Sequence, residues 1–234
     1  MRPGSGLQGE IRMSRRKIDF STYPRKEHFW HFIAMDNPFA SVTVHVDITE
    51  WLRWQKEKGY PFFLTFQYAV VQAANRIPEL RQRYIDGNIV EYDFCNPSYT
   101  VAAPDGTYRY CMVNTDQPLE AYLAEGKRKQ EAAAHADSLE EEGDVQSLLF
   151  TTCVPWVHFS AAMMPYPDRT FTIPNIGWGK CVRDLRLVLE QGKPVEKETV
   201  TIPVILMVNH ALVDGRHMAA FFSNLEEELR RMRV

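Results

Sequence analysis

The 234-residue sequence has no excess of basic residues, since 27 lysines and arginines face 30 aspartates and glutamates. The net charge of −3 argues against a nucleic-acid surface. No apolar run approaches the roughly 18 residues of a membrane-spanning helix, so no membrane association is expected. The four cysteines, Cys95, Cys111, Cys153 and Cys181, are far apart and form no CxxC pair. That pattern predicts free thiols in a reducing compartment and excludes a disulfide framework. The opening MRPGSGLQGEIR has no apolar core of the kind a signal peptide needs. Residues 1–17 therefore read as a disordered leader, with Met13 as an alternative start, and 18–234 as a single domain. The expected location is the cytoplasm. Glycine-rich phosphate loops, internal repeats and long linkers are also missing.

What is present is a 45% hydrophobic chain, ample for a sizeable core. SVTVHVDI (41–48) alternates with period two and is β-branched, so it predicts a strand. Thr49 suits the N-cap of EWLRWQKEK, which Gly59 ends. PFFLTFQYAVVQAANRI is apolar nearly all round, as a buried helix would be. Gly87–Asn88 and Pro104–Asp105–Gly106 mark two hairpins. LEEEGD (139–144) reads as an acidic, solvated connector. SLLFTTC, VHFSA and FTIPNIGWGK read as short strands. LRLVLEQ and ETVTIPVILMV read as a pair joined across Gly192–Lys193–Pro194. In the tail, Met218, Phe221, Phe222, Leu225, Leu229 and Met232 recur at helical spacing. Many strands with helices on one face predict an α/β two-layer sandwich.

The most informative stretch is VNHALVDGRH (208–217), between an apolar strand and that last helix. A histidine at a strand exit is held by rigid backbone, and its unperturbed pKa near 6.5 suits proton transfer at neutral pH. A carboxylate, Asp214, lies in the same turn. Taken alone, a structural turn and a positioned base both fit.

NHALVDG resembles the HHxxxDG signature of chloramphenicol acetyltransferases, and the HRxxxDG form of dihydrolipoyl acyltransferase cores. Further matches run in order along the chain. RKEHF (25–29) resembles the family's RREHF, VDIT (46–49) its IDIT, and KGYPF (58–62) its KFYP. PELRQRYIDGNIVEYD resembles PELRMAIKDGELIVWD, VPWVHF (154–159) resembles LPWVNF, and DGRH (214–217) resembles DGFH.

The resemblance implies a mixed, largely antiparallel sheet covered by helices. It also implies an O-acetyltransferase that uses acetyl-coenzyme A as co-substrate, with no permanently bound cofactor and no metal. The acceptor would be the primary hydroxyl of chloramphenicol, whose acetylation inactivates the antibiotic. His210 would be the general base, its Nε2 facing the acceptor and its other nitrogen fixed. Asn209 stands where the family has a first histidine. Thr152 occupies the position of the family's oxyanion-stabilising serine, and Thr151 takes that place if the register slips by one. Asp214 would pair with Arg25 and lock the turn. Trp156, Tyr60, Lys58 and Lys180 would contact the coenzyme. His31 and Phe32 fall where an aromatic pair flanks the drug. Gly177 replaces a threonine that helps hold a water. The family is trimeric with sites between subunits, which implies a homotrimer here and would put Trp178 at the contact.

AAPDGTYRYC (102–111) does not match the family, and 182–197 reads as an extended hairpin, so another small alcohol remains open as acceptor. A non-catalytic trimer that binds drug-like molecules is a second alternative. A dihydrolipoyl acyltransferase core and a metal site at His28 and His31, or at His210 and His217, are two more.

Overall fold

Every position of VTIPVILMV is apolar or β-branched, and a strand of that composition requires cover on both faces. The computed structural model, which describes residues 14–139 and 143–234, supplies it. In chain order the elements are β1 (Arg15–Lys17), α1 (Lys26–Ile33), β2 (Phe39–Asp47), α2 (Thr49–Lys58), α3 (Phe62–Asn75), β3 (Gln82–Ile85) and β4 (Asn88–Tyr92). There follow β5 (Asn96–Ala102), β6 (Tyr108–Met112), α4 (Leu119–Ala134), β7 (Leu148–Val154), β8 (Asn175–Gly179), β9 (Val182–Glu190), β10 (Lys193–Asn209) and α5 (Gly215–Arg231).

The main sheet runs β2-β10-β8-β7-β5-β6, with β9 also on β10. Only β5–β7 and β7–β8 are parallel pairs. The fold is therefore a mixed, largely antiparallel α/β sandwich. A small second sheet, β1-β4-β3, lies apart from it. Helices α3 and α5 cover one face of the main sheet. There Phe66, Val70, Phe221 and Leu225 join Ile176, Trp178, Val204 and Leu206 in one buried cluster. Gly59 ends α2 at φ +66°, a left-handed conformation that glycine adopts without steric cost.

The opposite face of the sheet is covered by 155–174, twenty residues without helix or strand. Uninterrupted loops of that length are uncommon in a domain and are usually functional. Met164 of this segment donates its backbone N–H to Met207 Sδ at 3.3 Å.

Several expectations change. Arg15–Lys17 pairs with Val90–Tyr92, so the ordered chain begins before residue 17. Residues 1–13, including Met13, and 140–142 of the acidic connector lie outside the described residues. VHFSA is not a strand but the start of the long covering segment. The hairpin turn falls at Gln191–Gly192, both at positive φ, while Lys193 and Pro194 already pair with β9. Thr49 is the first residue of α2 and not its cap. Its hydroxyl donates to Asp47 and accepts the N–H of Val200 at 2.8 Å, tying the helix start to β10. Trp178 is fully buried between Phe63 and Phe66, so it cannot lie at a surface contact of the folded chain. No helix of the described residues is long and apolar enough to cross a membrane.

Candidate active site

β10 ends where Asn209 turns the chain. The Asn209 side chain accepts from Ala211 N at 3.0 Å, and its backbone carbonyl accepts from Leu212 N and Val213 N. His210 therefore sits at a rigid exit, its N–H donated to Pro38 O at 2.8 Å. The imidazole lies flat on Phe32, with centroids 3.9 Å apart and planes 18° apart. His31 in turn meets Phe32 edge-on at 5.0 Å. His210 Nδ1 is buried without a hydrogen-bond partner among the described residues, so stacking, and not a bond through the second nitrogen, restrains the ring. This corrects the expectation that the second nitrogen is fixed.

Arg25, just before α1, bridges the turn. Its guanidinium pairs with Asp214 and donates to His210 O at 3.1 Å. Asp214 also caps α5 by accepting the N–H groups of Arg216 and His217, while His217 Nδ1 accepts the Asp214 N–H at 3.1 Å. Burial opposes the charge on Asp214. His217, Arg25 and the two backbone N–H groups outweigh that effect and hold its carboxyl below the ordinary carboxylate range. A side-chain oxygen at an N-cap and an anion at a helix N-terminus both stabilise the helix start. His217 Nε2 reaches Glu79 at 3.5 Å.

A second group of residues lines a cleft of about 840 Å³ at the end of β7 and β8. Thr152, Trp156 and Lys180 are among its walls, together with Lys56, Phe63 and Tyr108. Trp156 is 81% exposed, a cost in apolar surface that a bound partner would relieve. No described residue hydrogen-bonds the Thr152 side chain. Thr151, by contrast, is buried, accepts Gln67 Nε2 at 2.8 Å and donates to Ser98 O. Of the two, Thr152 is thus the one whose hydroxyl makes no hydrogen bond to the described residues. Two cysteines also face the cleft. Burial, with Cys181 nearby, pushes the Cys153 thiol up to about 11, and burial raises Cys181. Neither thiol is activated as a nucleophile.

Lys58 and Tyr60 do not line this cleft. Lys58 is exposed at the end of α2, and the Tyr60 hydroxyl donates to Glu120 at 3.1 Å. Lys56, which sequence reasoning missed, takes the cleft-facing place. It stands four residues after Leu52, another wall residue, and i, i+4 positions share a helix face. Lys58 is two residues on, about 200° around the helix. The position of Lys180 has its own cause. Trp178 stands opposite Val204 and Val182 opposite Thr201, so four steps along one strand face three along the other. Such a bulge re-aims the side chains within it.

His210 does not line the cleft. Thr152 pairs with Gly177 and Gly177 with Ile205, and His210 lies five residues further along the chain. At about 3.3 Å per residue that is roughly 16 Å along the strand, plus two interstrand steps of about 4.8 Å. Within one chain His210 and Thr152 cannot reach the same atom. Among the described residues, no group of three or more His, Cys, Asp or Glu side chains is arranged to hold a metal ion.

Residues 13–226 match the family model described as chloramphenicol acetyltransferase. A chloramphenicol acetyltransferase of Proteus mirabilis is 26% identical over 218 residues, covering 90% of this chain and 92% of that protein. One from Clostridioides difficile is 27% identical over 215 residues, covering 90% and 94%. A solved chloramphenicol acetyltransferase structure superposes with a TM-score of 0.78 at 24% identity, over 92% of this chain and all of that one.

Proposed function

Because the chain belongs to the chloramphenicol acetyltransferase family and is an acyltransferase, we propose that it moves the acetyl group of acetyl-coenzyme A to the primary hydroxyl of chloramphenicol. His210 is the general base. Its Nε2, free of any hydrogen bond to described residues, takes the proton of the acceptor hydroxyl as the oxygen attacks the thioester carbonyl. A base of this kind contributes roughly 10²- to 10⁴-fold in rate. The Thr152 hydroxyl donates to the resulting oxyanion, an interaction typically worth about 3–4 kcal/mol of barrier. When the carbon–sulfur bond breaks, the imidazolium returns the proton to the departing thiolate. Both substrates bind together, so no acyl-enzyme forms, in keeping with the two inactive thiols. Trp156, Lys180 and Lys56 suit the stacking and phosphate contacts of a coenzyme.

The observation that carries this reading is the separation of His210 from Thr152. If both act on one reaction, the base must come from one chain and the oxyanion donor from another. That geometry calls for an oligomer with sites between subunits, and a homotrimer is the assembly that the family resemblance implies. Thiol release from acetyl-coenzyme A in the presence of chloramphenicol tests it. His210→Ala should abolish release while the protein stays folded, and so should Thr152→Ala reduce it by 10²-fold or more. Oligomers reassembled from the two inactive variants should recover part of the activity. Recovery to no more than the parents' rates would exclude a shared site.

One observation favours a different small alcohol as acceptor. Gly106, Thr107 and Tyr108, from the stretch unlike the family, line the same cleft as Thr152, where the acceptor oxygen must meet the thioester carbonyl. A panel of alcohols in the same assay separates the two acceptors.

A further inference from the structure

On the sheet face away from the helices, β7, β8 and β10 set Thr152, Gly177 and Ile205 side by side in one row. Gly177 is not among the glycines at positive φ, so its backbone conformation does not require glycine. Space does. A Cβ added at 177 would lie 3.1 Å from Ile205 Cγ2, 3.2 Å from Thr152 Cγ2 and 3.4 Å from Met164 Cε. The first two are methyls of β-branched side chains, which have little χ1 freedom with which to retreat. The gap above Gly177 is thus filled from both sides, and one filler is the methyl of Thr152.

We infer that Gly177 is a positioning residue for the Thr152 hydroxyl. Its missing side chain receives the threonine methyl and thereby fixes χ1. With Cγ2 held at Gly177, the fixed chirality of Cβ leaves Oγ1 one staggered position, off the strand row, on a residue that lines the cleft. A serine at 152 has no methyl to anchor and spreads over three staggered positions. A side chain at 177 displaces the methyl and turns the hydroxyl with it. Thr152 and Gly177 are a coupled pair, in which neither residue works with a different neighbour as it does with its own. This rests on Thr152 being the oxyanion donor.

The test is a double-mutant cycle on the full chain, with kcat, KM for acetyl-coenzyme A and melting temperature measured for each protein. Gly177→Ala should lower kcat about tenfold or more with KM little changed, since small misplacements of a catalytic group are costly. Thr152→Ser should lower kcat about threefold, the loss expected when one of three rotamers is productive. In the serine background, Gly177→Ala should change kcat by less than about twofold. An equal loss of kcat in both backgrounds would mean that Gly177 acts only through Ile205, and would overturn the coupling. Should Gly177→Ala not fold, Thr152→Ser decides, because a kcat equal to the parent's overturns the anchored methyl. Thr152→Ala keeps the two questions apart: full activity there removes Thr152 from catalysis altogether, whereas a loss there with no coupling removes only Gly177.

Discussion

The ring of Phe32 lies against the imidazole of His210, with centroids 3.9 Å apart. His210 Nδ1 makes no hydrogen bond to the described residues, so this stacking and the bonded backbone on either side are what orient the ring. Phe32→Ala frees χ2 of the imidazole. It should lower kcat at least about tenfold, since a misaligned base loses most of its 10²- to 10⁴-fold contribution. KM for acetyl-coenzyme A should hardly move, because Phe32 orients the base and is not among Trp156, Lys180 and Lys56, the side chains that suit the coenzyme. Steady-state kinetics with saturating acceptor would check this, and an unchanged kcat would show that backbone alone aims the ring.

Arg25 and Asp214 bear on the same histidine from its other side. Arg25 reaches both the carboxylate and the His210 carbonyl, so Arg25→Lys, which loses the planar fork, should cost activity despite keeping the charge. Asp214 also gives a pH signature. Its carboxyl is depressed in the folded chain, so its stabilisation is present above the ordinary carboxylate pKa near 3.9 and is lost as pH falls through the lower folded value. The parent's melting temperature should therefore fall more steeply below about pH 4 than that of Asp214→Asn. Melting curves between pH 7 and pH 3 would show it, and parallel acid limbs would remove Asp214 from the linkage.

The sequence was most legible where one local rule acts alone. The period-two run of β2, the all-apolar α3 and the stripe of α5 each follow from side-chain spacing, and each is present. The place of Trp178 is not legible in the sequence, because a lone aromatic near a strand end carries no sign of which face it takes; pairing with β10 turns it into the core. VHFSA has strand composition but no strand to pair with, and it became part of a cover. Residues of the candidate site divide the same way. The turn bearing His210 and Asp214 is contiguous and could be read. The cleft is assembled from α2, β5, β7 and the bulge after β8, and no local pattern joins them.

Lys56 and Lys58 separate these two kinds of information. If the cleft takes the coenzyme, Lys56→Ala should raise KM for acetyl-coenzyme A several-fold, about the loss of one partly solvated phosphate contact. Lys58→Ala should have a smaller effect, because its side chain points about 200° away around α2. Both effects should shrink as salt is raised, since exposed charges are screened. Equal effects from the two lysines would place the phosphates outside the cleft.

Asn209 holds the covering segment to the strand. Its Nδ2 donates to Arg169 O at 2.9 Å and Phe171 O at 3.1 Å, while Oδ1 accepts from Ala211 N. The residue is 3% exposed, so Asn209→Ala leaves these backbone groups short of partners away from water. That costs about 1–3 kcal/mol, or roughly 2–4 °C of melting temperature per kcal/mol in a chain of this size. The same segment carries Met164, which closes over Gly177 and Met207. Asn209→Ala should therefore lower kcat as well as the melting temperature, and should speed amide exchange in 163–173 ahead of the rest of the chain. Exchange that rises evenly over the whole protein would mean that Asn209 supports the sheet and not its cover.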